Sequence, residues 1–426
     1  MCESLHTRSR RILSRDMAAL LLEEIMSMNE TPSAQRTHIG FFGCRNAGKS
    51  SLVNAVTGQA LAIVSEVKGT TTDPVLKAME LLPLGPVVVI DTPGFDDAGT
   101  LGDLRVRRTM DALNRSDVAV LVIDGTVGVR PEDERLLSLI RERGLPCVVA
   151  WNKADDPAAL PPTEGALVVS ARTGMNIDAF KERLASAMPE GNARKLVGDL
   201  VAAGDVAVLV CPMDESAPKG RIILPQQQTI RDLLDAGALA LVTKETELAS
   251  ALRKLTTPPK LVITDSQAFR VVSGIVPDSV PLTSFSILMA RYKGFLHTAV
   301  AGVAAVERLK DGDRVLMAEG CTHHRQCNDI GTVKIPRWLR QYTGRDIAIE
   351  TCTGRDFPED LSSYALVIHC GGCMLTETVV QYRMRLAQAQ GIPFTNDGIA
   401  IARMTGALER SLRLFPELHA LLENRT

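Results

Sequence analysis

The segment Gly43–Ser50 reads GCRNAGKS, follows the apolar run HIGFFG, and precedes a helical pattern that starts at Ser51. Glycines in such a G-x-x-x-x-G-K-[ST] loop let backbone N–H groups surround phosphates at a helix N-terminus. Lys49 is expected to reach the β- and γ-phosphates, and the Ser50 hydroxyl to bind magnesium. The predicted phosphate-binding residues are Gly43, Asn46, Ala47, Gly48, Lys49, Ser50 and Ser51.

Three further motifs each place polar residues at the end of a short apolar run. DTPG (Asp91–Gly94) follows VVVI, NKAD (Asn152–Asp155) follows CVVAW, and SA follows ALVVS. An aspartate at the end of a buried strand holds magnesium, and the Gly94 N–H can reach the γ-phosphate. Asp155 can accept both donors on the guanine edge, which adenine lacks, so GTP with Mg²⁺ is predicted. The residues predicted here are Asp91, Gly94, Asn152, Lys153, Asp155, Ser170 and Ala171.

Cysteine and histidine cluster in two further motifs near the C-terminus. EGCTHH contains Cys321 and His323, and HCGGC contains His369, Cys370 and Cys373. Both motifs end predicted parallel strands, where open α/β sheets build their sites, so three thiolates can converge. Sulfur ligands suit an iron–sulfur cluster or zinc, and a C-x-x-C pair also occurs as a redox dithiol. The glycines between the cysteines favour a bound ligand over simple burial of small side chains.

The elements around these motifs predict an α/β protein of three domains after an N-terminal extension. Short β-rich runs alternate with amphipathic stretches in a P-loop GTPase domain, placed at residues 37–190 after the extension 1–36. The segment 196–258 contains the strands VAVLV and ALALV and a helix from Gln226 to Ala236. It predicts a small α/β dimerisation domain, because two strands bury little core alone. Residues 259–426 predict a doubly wound α/β cluster-binding domain.

The nucleotide motifs resemble those of the translation-factor-like GTPases of the Era and MnmE type. The resemblance rests on the N-A-G-K-S loop and on KGTTTD (Lys68–Asp73). It implies that Thr71 is a second magnesium ligand and that Asn46 coordinates a potassium ion. Phe95 follows Gly94 where many GTPases keep a glutamine that orients the attacking water, so slow hydrolysis and a switch function are expected.

Nearly the whole chain resembles the HydF family of FeFe-hydrogenase maturation GTPases. The resemblance covers TPSAQRTHIGFFGCRNAGKSSLVNA, PKGRIILPQQQTIRDLLD, and EGCTHH with HCGGCM. It implies a 4Fe-4S cluster on Cys321, Cys370 and Cys373, homodimerisation through the middle segment, and a scaffold that carries the diiron subcluster as cargo. The implied partners are two radical-SAM maturases and the apo FeFe-hydrogenase, with GTP regulating the exchange.

The fourth iron of such a cluster has no matching thiolate in the motif. His323 and His369 flank the three thiolates and are candidates for a fourth or labile ligand, which would leave one iron open to cargo. Alternatively, Cys327 or Cys352, which the family motif does not require, closes the site. In a third interpretation both histidines donate hydrogen bonds to the cluster sulfurs.

Composition sets limits on the partners and the compartment. The 48 basic and 50 acidic side chains nearly cancel, so no nucleic acid is expected, and no apolar run is long enough for a membrane span. The predicted compartment is the cytoplasm, or the mitochondrial matrix or a plastid if residues 1–25 form a transit peptide. The main rival is a ribosome- or RNA-associated GTPase with a structural zinc, and a redox enzyme with a Cys370–Cys373 dithiol is the second.

Overall fold

The computed structural model describes residues 31–58, 75–95, 100–188, 194–213, 222–320, 330–354 and 356–423. These residues form three β-sheets, each flanked by helices. Thr71, Cys321, His323 and Cys327 lie outside them, as does most of the N-terminal extension. None of the helices in these ranges has the length and hydropathy that a bilayer crossing needs.

The first sheet has six strands in the order β2-β3-β1-β4-β5-β6, and all neighbours are parallel except β2 and β3. Its central strands are buried on both faces, which explains their continuous apolar runs. The antiparallel strand β2 was not predicted. The elements are β1 (Thr37–Phe42), α1 (Lys49–Thr57), β2 (Val75–Leu81), β3 (Gly85–Asp91), α2 (Thr100–Arg115), β4 (Val118–Asp124), α3 (Pro131–Glu142), β5 (Cys147–Asn152), β6 (Leu167–Val168) and α4 (Ile177–Ala187).

The second sheet has four parallel strands in the order β10-β9-β7-β8. The boundary expected near residue 258 falls inside it, because LVITD forms β9 and pairs with β7 instead of starting the next sheet. Its elements are β7 (Val206–Val210), α5 (Leu224–Asp235), β8 (Leu239–Thr243), α6 (Leu248–Lys254), β9 (Leu261–Thr264), α7 (Phe269–Ile275), β10 (Leu282–Ser284) and α8 (Phe285–Tyr292).

The third sheet also has four parallel strands, in the order β12-β11-β13-β14. The neighbouring strands β11 and β13 are the two that end in the cysteine motifs, as the sequence predicts. The elements are α9 (Leu296–Val303), β11 (Arg314–Glu319), α10 (Ile335–Thr343), β12 (Ala348–Thr353), β13 (Leu366–His369), α11 (Glu377–Ala389), β14 (Phe394–Asn396), α12 (Asp397–Met404), α13 (Leu408–Leu412) and α14 (Pro416–Glu423).

The apolar cores show how the three sheets are grouped. The second and third sheets share one continuous cluster of buried apolar residues, which runs from Leu196 to Leu418. The first sheet has two separate clusters. Helix α2 of the first unit packs against α11 of the third, and Thr378 at the start of α11 donates a hydrogen bond to Asp117. The first unit therefore touches the helix that follows HCGGC.

Candidate functional site

The phosphate-binding loop follows β1 and depends on glycine at both ends. Gly43 and Gly48 have φ of 146° and 88°. A Cβ at Gly43 would lie 2.2 Å from the Val122 carbonyl oxygen, and one at Gly48 would lie 2.3 Å from Asn152 Nδ2. Asn46, at the exposed tip, has a left-handed φ of 63°. The loop is therefore held close to the ends of β4 and β5, with the Asn46 amide at its outer face.

Lys49, Ser50 and Asp91 converge beside this loop. Lys49 Nζ donates to the carbonyl oxygens of Gly43 at 3.0 Å and Cys44 at 2.9 Å, which holds the ammonium inside the loop. Ser50 Oγ donates to Asp91 Oδ2 at 2.6 Å. Asp91 Oδ1 is buried without a hydrogen-bond partner in the described part of the chain, and burial raises the pKa of this carboxyl. A hydroxyl beside a buried, unsatisfied carboxylate oxygen fits Mg²⁺.

The NKAD motif connects the guanine-reading residues to the phosphate loop. Asn152 Nδ2 donates to the Ala47 carbonyl oxygen at 2.9 Å, and Asn152 Oδ1 accepts from the Ala171 N–H at 3.1 Å. Lys153, at φ 63°, pairs with Asp124 at 2.6 Å. Asn152 therefore fixes the distance between the loop that holds phosphates and the segment that reads the base.

Asp155 is braced by two neighbours in the position expected for guanine recognition. Ser170 Oγ donates to Asp155 Oδ1 at 2.5 Å, and Arg172 Nε donates to Oδ2 at 2.6 Å. The Ser170 hydrogen bond, followed by that of Arg172, lowers the pKa of the Asp155 carboxyl. The group therefore stays an ionised acceptor at neutral pH, as selection of guanine requires.

Gly94 and Phe95, the described residues that follow DTP, offer no side chain that could orient a water. A Cβ at Gly94 would lie 2.7 Å from Arg45 Cα, so the two loops touch. Phe95 is fully buried, and its N–H donates to the Gly43 carbonyl oxygen at 3.1 Å. The Arg135 guanidinium stacks over its ring at 5.7 Å. The Phe95 side chain is therefore part of the core.

At the third sheet, the strand register brings together the ends of the two strands that precede the cysteine motifs. Ala318 of β11 is opposite His369 of β13, and the Cys370 N–H donates to the Ala318 carbonyl oxygen at 2.9 Å. Cys370 Sγ accepts from the N–H groups of Gly320 at 3.0 Å and Gly372 at 3.4 Å. Backbone donors around a sulfur stabilise a metal-bound thiolate, so Cys370 fits a cluster ligand.

Cys373 completes the C-x-x-C pair as a free thiol. Neither it nor Cys370 is in a disulfide. Burial, and then the charge of Cys370, raises the pKa of the Cys373 thiol to about 12. A thiol with this pKa would not be the attacking group of a redox dithiol, which needs a lowered pKa. Metal coordination deprotonates a thiol regardless of this preference, so the raised pKa does not oppose a metal on Cys373.

His369 is fully buried, and both of its ring nitrogens are engaged by protein groups. Nδ1 lies 2.6 Å from the Cys370 carbonyl oxygen, and Arg383 Nη1 lies 3.1 Å from Nε2. Because a guanidinium only donates, Nε2 must accept and Nδ1 must carry the proton. Burial, then the Arg383 charge, lowers the pKa of His369 to about 3. In this conformation His369 positions the Cys370 backbone, and it would have to leave Arg383 before it bound iron through Nε2.

Cys352 lies on the other side of β11, opposite Ala318. It is buried, and burial raises the pKa of its thiol to about 11. Among the described residues no three His, Cys, Asp or Glu side chains form a metal site. The third predicted thiolate, Cys321, follows Gly320 directly, outside the described ranges. The structure therefore places two of the three predicted ligands together.

A cavity of about 580 Å³ lies beside the cysteine motifs, between α2 and α11. Gly320 and Met374 of the third unit line one side, and Asn114 and Arg115 of the first unit line the other. Arg383 contributes to the same wall and stacks over Phe357 at 4.9 Å. The cavity is large enough for a small ligand, and residues of two domains line it.

Sequence reasoning missed several residues that shape these sites, notably Arg383, Tyr382, Lys293 and Asp124. Tyr382 and Arg383 lie on α11, nine and ten residues after Cys373, and Lys293 comes from the second unit. No motif identifies them, because their partners are distant in sequence. The Asp at the end of VLVID, by analogy with Asp91, was the one signal available for Asp124.

The fold and the nucleotide site together define a P-loop GTPase that carries two further parallel α/β domains. Residues 38–153 match the family model described as 50S ribosome-binding GTPase. Residues 196–294 match the Hydrogen maturase F dimerization domain, and residues 297–414 match the Hydrogen maturase F tetramerization domain. The chain belongs to the hydrogen maturase F (HydF) family.

Curated relatives match the GTPase part of the chain. The tRNA modification GTPase MnmE of Laribacter hongkongensis is 38% identical over 157 residues, 35% of this chain and 34% of that protein. GTPase Der of Kosmotoga olearia is 38% identical over 122 residues, 28% of this chain and 27% of that protein. This chain therefore spans about a third of these relatives. The structure of Era from Aquifex aeolicus bound to GDP and AlF4⁻ covers 51% of this chain and 98% of its own, at 21% identity and a TM-score of 0.34.

Proposed function

We propose that this chain is a GTP-hydrolysing scaffold that assembles the diiron subcluster of FeFe-hydrogenase and delivers it to the apoenzyme. A resident 4Fe-4S cluster is proposed on Cys321, Cys370 and Cys373. The observation that carries the proposal is the pair of backbone N–H groups directed at Cys370 Sγ where two adjacent parallel strands end. The cluster would give the cargo an iron atom to dock on, and the chain's own residues would hold and orient it.

The fourth iron is proposed to be open or weakly held. His369 is held away from a ligand role by Arg383 and the Cys370 carbonyl. His323 is therefore the better candidate for an exchangeable ligand, with Cys352 or Cys327 as alternatives. An exchangeable ligand suits a scaffold that must both load and release.

The cavity between α2 and α11 is the proposed place for the diiron cargo. It reaches Gly320, whose N–H donates to Cys370 Sγ, so a ligand in the cavity lies beside the cluster. Apolar groups such as Phe357 and Met374 suit carbonyl ligands, and Arg115, Arg383 and Asn114 can donate hydrogen bonds to cyanide. The acidic groups Asp111, Asp356 and Glu359 also line the cavity, so its charge is mixed.

We propose that α2 transmits the change between the GTP-bound and GDP-bound states to the cargo. This helix begins shortly after DTPG and ends at Arg115 beside the cavity. Its C-terminal turn touches α11 through Asn114 and Tyr382, and Asp117 beyond it accepts from Thr378. A shift of the DTPG segment on hydrolysis would move the outer wall of the cavity.

Hydrolysis itself is proposed to be slow and activated by potassium. Phe95 has no group that can orient water, and Asn46 is exposed at the tip of the phosphate loop. A potassium ion on Asn46 would add positive charge at the γ-phosphate. Slow hydrolysis of this kind would regulate when the cargo is exchanged and would contribute little energy to the exchange.

The assembly is proposed to be a homodimer or a larger homo-oligomer that meets two radical-SAM maturases and the apo-hydrogenase, in a reducing compartment such as the cytoplasm. The test is coexpression of an inactive FeFe-hydrogenase with the two maturases, with and without this chain. Hydrogen evolution that appears only with this chain is expected. Equal activity without it, or a colourless protein that elutes with zinc and RNA, would instead support the RNA-associated GTPase.

A further inference from the structure

Lys293 is a buried cation that lies between the second and third units. Its backbone N–H donates to the Met289 carbonyl oxygen at 2.9 Å and closes helix α8. The residue is only 3% exposed, and Nζ donates to the Leu375 carbonyl oxygen at 2.8 Å. Leu375 lies two residues after Cys373. The side chain therefore crosses from the dimerisation domain to the backbone that follows HCGGC.

The ammonium of Lys293 has no ion pair with a carboxylate of the described residues. Its other defined contact is the Tyr292 ring, at 5.6 Å. The nearby carboxylates are engaged elsewhere, because Glu377 pairs with Arg194 at 2.6 Å and Asp117 accepts from Thr378 and from the His38 N–H. Glu377 is the carboxylate whose charge acts most strongly on Lys293, but it is not within ion-pair distance in the described part of the chain. A further anion would therefore stabilise this buried charge.

Cys373 lies two residues before the Leu375 carbonyl that Lys293 binds, and a thiolate there would supply that anion. The Lys293 charge acts to lower the pKa of the Cys373 thiol, against the larger effect of burial. In turn, burial lowers the pKa of Lys293, while Glu377, then Cys373 and Asp117, oppose that shift. Each group is therefore electrostatically coupled to the other. A thiolate bound in an anionic iron–sulfur cluster would complete the pair.

We propose that Lys293 is the counter-cation of the cluster, so that the dimerisation domain sets its reduction potential and its retention. The proposal rests on the proposed function, because it needs a cluster on Cys370 and Cys373. The position of the lysine is fixed by its neighbours, since Gln381 Nε2 donates to its carbonyl oxygen at 2.6 Å. Any movement between α8 and α11 would change the distance between this charge and Cys373.

Removal of the Lys293 charge should affect the apo-protein and the cluster-loaded protein differently. In the apo-protein Lys293→Met removes a buried charge that has no carboxylate within ion-pair distance among the described residues, so the apo Tm should stay the same or rise. In the cluster-loaded protein the variant should lower the reduction potential, because loss of a nearby positive charge disfavours an added electron. It should also release iron to a chelator faster than the wild type.

The measurements are an EPR-monitored redox titration, the rate of iron release to a chelator, and the thermal unfolding of the apo-protein. Lys293→Gln keeps a donor for the Leu375 carbonyl oxygen without the charge, and should behave like Lys293→Met. Lys293→Arg keeps the charge, and should stay close to the wild-type potential. Lys254→Met, which changes an exposed lysine at the end of α6, is the matched control and should change nothing.

The possible outcomes distinguish failure of the proposed function from failure of the counter-cation proposal. A wild type that binds no iron overturns the proposed function itself. A wild type with a cluster whose potential is the same in Lys293→Met and Lys293→Gln overturns the counter-cation alone. An equal fall of Tm in apo and loaded Lys293→Met would mean that the lysine only holds the backbone. If the uncharged variants keep a normal apo Tm and take up no iron, while Lys293→Arg takes it up, the proposal stands.

Discussion

At the scale of single residues, the nucleotide site is built from side chains that hold one another. Asn152 bonds the phosphate loop with its amide nitrogen and the Ala171 N–H with its oxygen. Replacing it therefore changes both base and phosphate recognition. Asp155 is similarly fixed by Ser170 before any base arrives. This arrangement reduces the ordering that must accompany nucleotide binding.

The potassium ion at Asn46 is open to a direct test. Wild-type hydrolysis should be faster in potassium than in sodium chloride at equal ionic strength, and Asn46→Ala should remove that difference while nucleotide affinity remains. Asn46→Gly is the matched control, because glycine adopts the left-handed φ of 63° without the strain that alanine adds. Both variants should lose the potassium effect. Equal wild-type rates in the two salts would rule out the cation site.

The nucleotide residues could be predicted from the sequence because each lies in a short motif directly after a strand. The same holds for Cys370 and Cys373. Lys293 and Arg383 could not be predicted, since they approach the cysteine motif from 80 residues earlier in the chain and from the middle of α11. A side chain brought in by tertiary packing leaves no local pattern.

At the scale of elements, α2 is the physical connection between the two sites. Its 16 residues span about 24 Å, from the segment after DTPG to the cavity. The described contacts between the C-terminal end of α2 and α11 involve few side chains. They can therefore be removed by substitution without disturbing the apolar cores of the two units. Asn114 accepts from Arg143 Nε at 3.1 Å while it bonds Tyr382, so the C-terminal end of α2 is held in place.

Removing these contacts should uncouple the sites. In the wild type, iron should leave the cluster for a chelator at different rates with a GTP analogue and with GDP. In the double variant Thr378→Val, Tyr382→Phe the two rates should become equal, with hydrolysis unchanged. Tyr342→Phe, an exposed tyrosine on α10, is the control. A double variant that keeps the wild-type difference would show that α2 does not carry the signal.

The sequence predicts the strands well and their grouping less well. RVLMAE and ALVIHC form neighbouring strands as expected. LVITD follows the breaker TTPPK, which favours a new domain, yet it completes the second sheet. Neighbouring strands of a parallel sheet are joined by long crossover connections. The sequence of one strand therefore does not indicate which strands it pairs with.

At the scale of the whole molecule, the exposed edge of the second sheet is the best surface for dimerisation. Within the described residues β8 pairs with β7 alone, and its Leu239 and Val242 side chains are 58% and 45% exposed. An open strand edge with exposed apolar groups is a template for pairing with a second chain. The match to a dimerization domain agrees with this placement.

Charges on this strand should break the dimer. Leu239→Asp with Val242→Asp should reduce the mass measured by light scattering at micromolar concentration, with hydrolysis retained by each chain. Val271→Asp, on α7 of the same domain and 53% exposed, should leave the mass unchanged. An unchanged mass for the double variant, or a monomeric wild type, would place the interface elsewhere or exclude it.

The central claim is that one chain holds a GTPase site and a separate iron–sulfur site. The most direct measurement is iron per chain after anaerobic reconstitution, alongside GTP hydrolysis, in the wild type, Lys49→Ala and Cys370→Ser. The account predicts about four irons per chain in the wild type and in Lys49→Ala, which should not hydrolyse GTP. Cys370→Ser should hydrolyse GTP and lose the cluster. A full iron content in Cys370→Ser, or a wild type that binds zinc and no iron, would contradict the account.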